Sequence, residues 1–281
     1  MKNDTILIVC NRSKAGAEQL SQDISSFFSD KAVTCLDANQ LEESQSKLCV
    51  DLAFSIGGDG TVLTCCRALS DCESTPIIAI KMGTFGYMTE VDAAHWKDVY
   101  KQYIEGIIGL SERRMLTASL SRSGGCFEPF SDALNDIVIS GSGGARIVKL
   151  NMFINGCFGG AIRSDGVIVA SPTGSTAYSM AAGGPILDPE MNAMIITPVC
   201  PFSLSNRPIV IGGDSSVEFQ VLEDQRTGVS LNADGQVEKM LVEGDRIRIE
   251  STKRALFVNP QKRRFIEVIR DKLHWDGGFH A

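Results

Sequence analysis

Apolar positions along the first hundred residues follow two periods. Short β-branched runs at Thr5 to Val9, Ala32 to Leu36, Asp51 to Ile56 and Pro76 to Lys81 predict buried strands. Between them, Ala15 to Phe28 carries apolar residues at helical spacing, and Leu41 to Leu48 predicts a shorter helix. Gly60 to Leu69 starts a third helix directly after a glycine-rich loop, and a fourth runs from Ala93 to about Ile104. Strands alternating with crossover helices are the signature of an α/β domain built on a parallel sheet.

The texture changes near Gly106 to Leu110. From there, period-two runs are separated by Gly, Ser and Asn, as at Met115 to Ser121, Ile137 to Ser140, Arg146 to Ile154, Val167 to Ala170, Ser216 to Leu222 and Asp245 to Glu250. This half is expected to be β-rich, with one helix after Thr173. Phe265 to Trp275 places Phe265, Ile266, Ile269 and Leu273 on one helical face, which predicts that it packs back onto a domain. The expected organisation is an α/β domain over residues 1–108, to which 258–281 returns, and a β-rich domain over 109–257. No repeat of solenoid type is visible.

A chain of 281 residues at 43% hydrophobic content is long enough for a large core. Its formal charge of −7 argues against nucleic acid and anionic membranes as partners, so any phosphate must be held locally. No run approaches the roughly 18 apolar residues of a membrane span, and a soluble, unexported chain is expected. The nine cysteines form no Cys-x-x-Cys pair and no cluster with histidine. They are expected to be reduced thiols in a reducing compartment.

Candidate chemistry starts at Ser55-Ile56-Gly57-Gly58-Asp59-Gly60-Thr61, where an apolar strand ends and a helix begins. Ligands of open α/β sheets gather at such strand ends. The glycines let backbone approach phosphate oxygens, and the helix N-terminus supplies partial positive charge. Asp59 would repel a polyphosphate, so its presence needs a reason, either taking a proton from an attacking hydroxyl or helping to place a magnesium ion. An ordinary tight turn with Asp as turn former is the bland alternative. The Gly-x-x-x-x-Gly-Lys phosphate loop is absent, and the run Gly141 to Arg146 has Arg where a dinucleotide fingerprint needs its last Gly.

A second signal spans Arg163 to Pro185. Its apolar run Val167 to Ala170 predicts a buried strand, and small hydroxyl residues fill four of the six positions 171 to 176 ahead of a small-residue helix ending at Gly183-Gly184-Pro185. N-capping accounts for one hydroxyl and leaves the others for a ring or phosphate to rest on. A serine hydrolase is excluded by spacing, since there is no Gly-x-Ser-x-Gly and only His95, His274 and His280 could act as base.

Taken together, Gly57-Gly58-Asp59-Gly60-Thr61, Asn135-Asp136, Asp165-Gly166, Thr173-Gly-Ser-Thr-Ala-Tyr178 with Gly183-Gly184-Pro185, and Asp234-Gly235-Gln236 resemble the NAD kinase family in kind and order, over about Ile6 to Trp275. The glycine-rich element alone is shared with phosphofructokinases and with diacylglycerol and sphingosine kinases; the Thr-Gly-Ser-Thr-Ala-Tyr element narrows it. The resemblance implies an N-terminal α/β domain and a β-rich C-terminal domain with NAD in the cleft between them, in a homodimer or homotetramer. It implies a cytoplasmic enzyme using ATP or polyphosphate with Mg²⁺, and no nucleic acid or membrane partner. Asp59 would be the proton acceptor. Gly57, Gly58 and Gly60 would line the phosphates and the dinucleotide, and Asn135 and Asp136 would hold adenosine and ribose hydroxyl groups. Asp165, Thr173 and the turn Thr176, Ala177, Tyr178, Ser179, Met180, Ala181 would line the nicotinamide and adenine pockets. Arg146 and Arg163 would supply positive charge, and Gln236 a polar contact. Lys81 stands where the family commonly has Asn. A non-catalytic dinucleotide sensor and a diacylglycerol-type lipid kinase are the alternative readings. The retained Asp59 speaks against the first, and the lack of a basic amphipathic helix or lipidation site against the second.

Overall fold

The computed structural model describes residues 4–44, 46–83, 86–89, 91–122, 124–143, 147–259 and 265–273. The chain forms two compact units, one of Met1–Glu112 with Ala255–Ala281, the other of Arg113–Arg254.

The first unit runs β1 (Thr5–Cys10), α1 (Ala17–Phe27), β2 (Ala32–Asp37), α2 (Ala38–Ser44), β3 (Leu52–Gly57), α3 (Asp59–Ala68), β4 (Pro76–Lys81), β5 (Val91–Asp92) and α4 (Trp96–Ile104). Strands β2, β1, β3 and β4 lie side by side in that order, all parallel. β1 from Ile6 and β3 from Leu52 are apolar except for the buried Ser55, because both of their faces are covered. Ile6, Ile8, Phe54 and Ile56 pack with Leu20 and Ile24 of α1 and Trp96 of α4, while Leu7, Val9 and Ala53 are equally buried on the opposite face. The chain leaves β1 on one side for β2 and comes back on the other for β3. That reversal makes the C-terminal ends of β1 and β3 the switch point of the sheet, where open α/β folds take their ligands.

The second unit is a sandwich. Its elements are β6 (Leu110–Ser121), β7 (Glu128–Ala133), β8 (Asp136–Ser142), β9 (Val148–Ile154), β10 (Cys157–Ser164), β11 (Gly166–Ala170), a 3-10 turn at Thr173–Thr176, α5 (Tyr178–Ala181), β12 (Ala193–Val199), β13 (Ile209–Gly212), β14 (Val217–Val221), β15 (Gly228–Ala233), β16 (Val237–Leu241) and β17 (Arg246–Val258). One sheet orders β10-β9-β14-β17, with β6 beside β17 and β7 beside β6; the other orders β13-β12-β11-β8-β15-β16 and is antiparallel throughout. Alternate residues of both, such as Leu150, Phe219 and Ile247 against Ile139, Val169 and Leu231, form the shared core. The second sheet is also covered on its outer side at β11, where Ile168 and Ala170 pack with Leu187. From Ala255 the chain is back in the first unit, with Leu256 and Phe257 pairing in parallel with Pro76 and Ile77, and α6 (Phe265–Leu273) following there with Ile269 buried.

Three expectations change. The second helix begins at Ala38, three residues before Leu41, because the Asp37 carboxylate accepts the Asn39 amide at 2.9 Å and caps it; Leu48 lies in the following coil. The helix after Thr173 is two single turns broken at Ala177, whose φ of −97° and ψ of −129° are not helical. Cys49 and Cys72 form a disulfide with Cα atoms 5.3 Å apart, which corrects the expectation of reduced thiols for this pair. The coil entering β3 and the turn leaving α3 lie side by side, a proximity that cysteine spacing along the chain does not reveal.

Candidate active site

In the first unit, the chain comes off β3 at Gly57 and enters α3 at Asp59 with Gly58 in an extended conformation as N-cap. Gly57 has to be glycine, since a Cβ there would meet the Thr61 side chain. Asp59 sits half-buried in the first turn of α3. Its carboxylate is aimed by two backbone donors: the Tyr87 amide gives to Oδ2 at 2.8 Å and the Met88 amide to Oδ1 at 3.0 Å. Gly86 lets that loop come close, because a Cβ there would lie 3.1 Å from Asp59 Oδ1 and overlap Thr89. Burial, and then the Asp59 charge, push the Tyr87 phenol up. Both carboxylate oxygens keep a lone pair beyond these bonds, so the group can still accept a proton. The loop is tied to its neighbours by Asn11 N–H to Ile56 O and Met82 N–H to Gly57 O, both 2.9 Å. Lys81 at the end of β4 pairs with Asp92 at 3.2 Å.

In the second unit, even-numbered residues of β8 and β15 face away from the sandwich core, since Ile137, Ile139, Val229 and Leu231 face into it. That outer face and Ala177-Tyr178 bound a cavity of about 440 Å³ lined by Asn135, Asp136, Val138, Ser140, Ala177, Tyr178, Ser230, Asn232, Asp234, Gly235 and Glu238. The lining is rich in oxygen acceptors and, among the described residues, carries no basic side chain. It suits hydroxyl, amide or cationic groups better than phosphate. Burial, and then the Asp234 charge, push the Asp136 carboxyl up to about 7.

The approach to this cavity is held from behind. Ser171 gives its amide to Asn135 O at 2.9 Å and its hydroxyl to Leu134 O, and accepts the Gly174 amide at 3.1 Å. Gly174 packs against the Asn135 backbone so closely that an added Cβ would fall within 2.6 Å of the Asn135 Cα.

Of the residues singled out from the sequence, Asn135, Asp136, Ala177 and Tyr178 come together in the cavity lining, joined by Asp234 and Gly235 of the Asp234-Gly235-Gln236 element. Arg163 is exposed on β10, and Asp165 lies between β10 and β11, donating its amide to Val199 O. Thr176 turns its hydroxyl to Thr173 O at 3.3 Å. Ser179 is fully buried with its hydroxyl on that of Thr197 at 2.9 Å, Met180 is half-buried and Ala181 exposed. Gln236 gives its amide to Ala233 O in the β15–β16 turn. Arg146 lies outside the described residues, as do His274 and His280. The amides that orient Asp59, and Ser140, Ser230, Asn232 and Glu238 in the cavity, are additions from the structure. The four side chains follow from strand alternation once the pairing of β8, β15 and β16 is known; backbone donors leave no mark in a sequence.

The raised Asp136 value has a consequence for stability. The ordinary carboxyl value is 3.8, and the folded one is about 7. Between these values the native protein keeps a proton that the unfolded chain releases, so this group costs stability increasingly as pH rises from about 4 through 7. Asp136→Asn removes the cost. Urea unfolding is expected to find the variant more stable than the parent at pH 8, by up to about 4 kcal/mol, with the advantage shrinking towards pH 4. Equal pH slopes for the two proteins would contradict the assignment.

Comparison with known proteins places this geometry. The family model of the ATP-NAD kinase N-terminal domain matches residues 45–108, and that of the ATP-NAD kinase C-terminal domain matches 134–259. The chain is 47% identical over 224 residues to an NAD kinase of Desulforamulus reducens, covering 79% of this chain and 77% of that one. It is 36% identical over 281 residues to an NAD kinase of Treponema denticola, covering 97% and 96%. Among solved structures it is similar to an NAD kinase from Archaeoglobus fulgidus in complex with ATP, with TM-score 0.72, 25% identity and coverage of 95% and 98%. The fold also matches yeast NADH kinase complexed with NADH, with TM-score 0.83, 24% identity and coverage of 100% and 91%.

Proposed function

We propose a mechanism from the premise that this chain belongs to the NAD kinase family and phosphorylates NAD. In it, Asp59 takes the proton of the 2′-hydroxyl on the adenosine ribose as that oxygen attacks the terminal phosphorus of a nucleoside triphosphate. The O2′–P bond forms, the bridging P–O bond of the donor breaks, the proton ends on Asp59, and the products are NADP and the nucleoside diphosphate. The observation that carries this reading is the Asp59 carboxylate, aimed by two amides at the N-terminus of α3 and at the switch point of a parallel sheet. Phosphoryl transfer asks mainly for alignment and charge neutralisation. Gly57, Gly58 and Gly60 let backbone approach the donor phosphates, and the N-terminus of α3 supplies partial positive charge in a chain of net charge −7.

Among the described residues there is no grouping of three or more His, Cys, Asp and Glu able to hold a metal ion. A Mg²⁺ ion arriving with the donor needs no such cage, since it takes most of its ligands from phosphates and water. When bound, it neutralises charge on the donor oxygens. Chelation of divalent cations is expected to stop turnover.

For the acceptor, Asn135 and Asp136 receive ribose hydroxyl groups, and Ala177 and Tyr178 bound the cavity in which the dinucleotide is held. Asp165, Thr173, Thr176, Ser179, Met180, Ala181 and Gln236 support that pocket, and Arg146 and Arg163 meet the anionic parts of the ligands. The enzyme works in the cytoplasm as a homodimer or homotetramer, with ATP or polyphosphate as donor; light scattering on the purified protein reads the first, and parallel assays with each donor read the second.

Asn135→Ala tests the acceptor site. A residue that binds ribose in ground state and transition state alike affects KM and leaves kcat. KM for NAD is expected to rise about tenfold, the equivalent of about 1.4 kcal/mol, with kcat little changed. A collapsed kcat at unchanged KM would contradict this role.

A further inference from the structure

The backbone that carries Asn135 and Asp136 is fastened by a side chain from another hairpin. Asp234, at the tip between β15 and β16, sends its carboxylate to three consecutive amides: Leu134 N–H to Oδ2 at 2.9 Å, Asn135 N–H to Oδ1 at 2.8 Å and Asp136 N–H to Oδ1 at 3.2 Å. Its own amide returns a bond to Asp136 O at 3.0 Å. Asp234 is 8% exposed, so these bonds are made in a protected place, where unpaired amides would cost about 1–3 kcal/mol each.

The turn alone does not call for a carboxylate. Asp234 and Gly235 have φ of 54° and 68°, successive positive values that glycine or asparagine satisfies equally well in a hairpin. Three converging amides do call for one, because an asparagine offers a single acceptor oxygen and turns an NH₂ group towards a third donor. Together with Ser171 on the opposite side, the carboxylate leaves the Leu134–Asp136 segment little freedom.

We propose that Asp234 is a positioning residue for NAD phosphorylation: it fixes the backbone from Leu134 to Asp136, and thereby the directions in which Asn135 and Asp136 meet the ribose hydroxyl groups. This rests on the acceptor-site reading given above. The same carboxylate also raises the proton affinity of Asp136, second to burial. Among the described residues, the other titratable groups on this cavity are Glu238, from β16, and Tyr178, from α5. Both stay in place when Asp234 is replaced, so a change in Asp136 titration reports on Asp234.

Two variants test it. Asp234→Gly keeps the positive φ and removes the carboxylate; Asp234→Asn keeps the size and removes the charge. With Asp234→Gly, the Kd for NAD by calorimetry and the KM for NAD are expected to rise together by about tenfold to a hundredfold, with kcat within about threefold of the parent. Amide hydrogen exchange is expected to accelerate at Leu134 to Asp136. With Asp234→Asn, the titration of Asp136, followed by carboxyl carbon NMR, is expected to move down in pH. A folded Asp234→Gly protein with Kd within twofold of the parent overturns the proposal, as does an unmoved Asp136 titration in Asp234→Asn. A parent protein that binds NAD and makes no NADP would refute the kinase reading instead, and Kd and hydrogen exchange would still decide whether Asp234 positions the binding segment.

Discussion

Asp59→Asn is expected to lower kcat by about a hundredfold or more, equivalent to roughly 3 kcal/mol in the barrier, while NAD still binds. The substitution keeps the shape of the group, and one amide of the Tyr87–Met88 pair keeps its acceptor oxygen. What is lost, in the mechanism proposed above, is a base for the 2′-hydroxyl proton. Because the missing interaction operates only as the hydroxyl attacks, KM for NAD should move far less than kcat. Single-turnover measurements with saturating NAD and donor isolate the step. Turnover within about threefold of the parent would remove Asp59 from the base role and leave it as a residue that orders the loop.

Gly174→Ala is expected to be the most disruptive change of one methyl group in the second unit. The new Cβ would overlap the carbonyl and Cα of Asn135, main-chain atoms with no rotamer to move aside. Either the 3-10 turn shifts, breaking the Gly174 N–H to Ser171 bond, or the Leu134–Asp136 segment shifts, breaking its bonds to Asp234. Overpacking against backbone, with a buried hydrogen bond lost, costs about 3 kcal/mol or more. For a protein of this size that corresponds to a fall in Tm of roughly 6–12 °C. NAD affinity should fall with it by about tenfold, since moving Asn135 off its place forfeits the contact that Asn135→Ala removes. Gly109→Ala is the control: nothing lies within 4 Å of its added Cβ, and a Tm within about 1 °C of the parent is expected. If Gly174→Ala melts with the control and binds NAD normally, the close packing of the turn on Asn135 is not what shapes the site.

The parallel sheet was legible because buried strands of this kind are unbroken apolar runs; Pro76–Lys81 has the same bounds in sequence and structure. The antiparallel half was harder to read. Strands such as Glu128–Ala133 and Cys157–Ser164 have one solvated face and polar or glycine-rich sequence, so their pairing defines them more than their composition. The start of the second helix was written in Asp37, a capping residue whose significance depends on whether the strand before it has ended. At the candidate site, the residue types proposed to do chemistry stood out: glycines around a carboxylate, and crowded hydroxyls before a turn. What holds those groups did not. Tyr87 and Met88 act through backbone amides, and Asp234, visible in the sequence as part of Asp234-Gly235-Gln236, shows its role only when its oxygens are seen to serve amides about a hundred residues earlier. Ser171 is similar, a hydroxyl that belongs to the supporting frame.

Transfer of a phosphate to the adenosine ribose of NAD is measured directly as product formation by the purified protein supplied with NAD, Mg²⁺ and ATP, with phosphorus NMR locating the new phosphate. A monoester on the 2′-oxygen is expected, in NADP that a strictly NADP-dependent dehydrogenase can reduce. NAD bound by the protein but recovered unchanged, with ATP or with polyphosphate as donor, would contradict it.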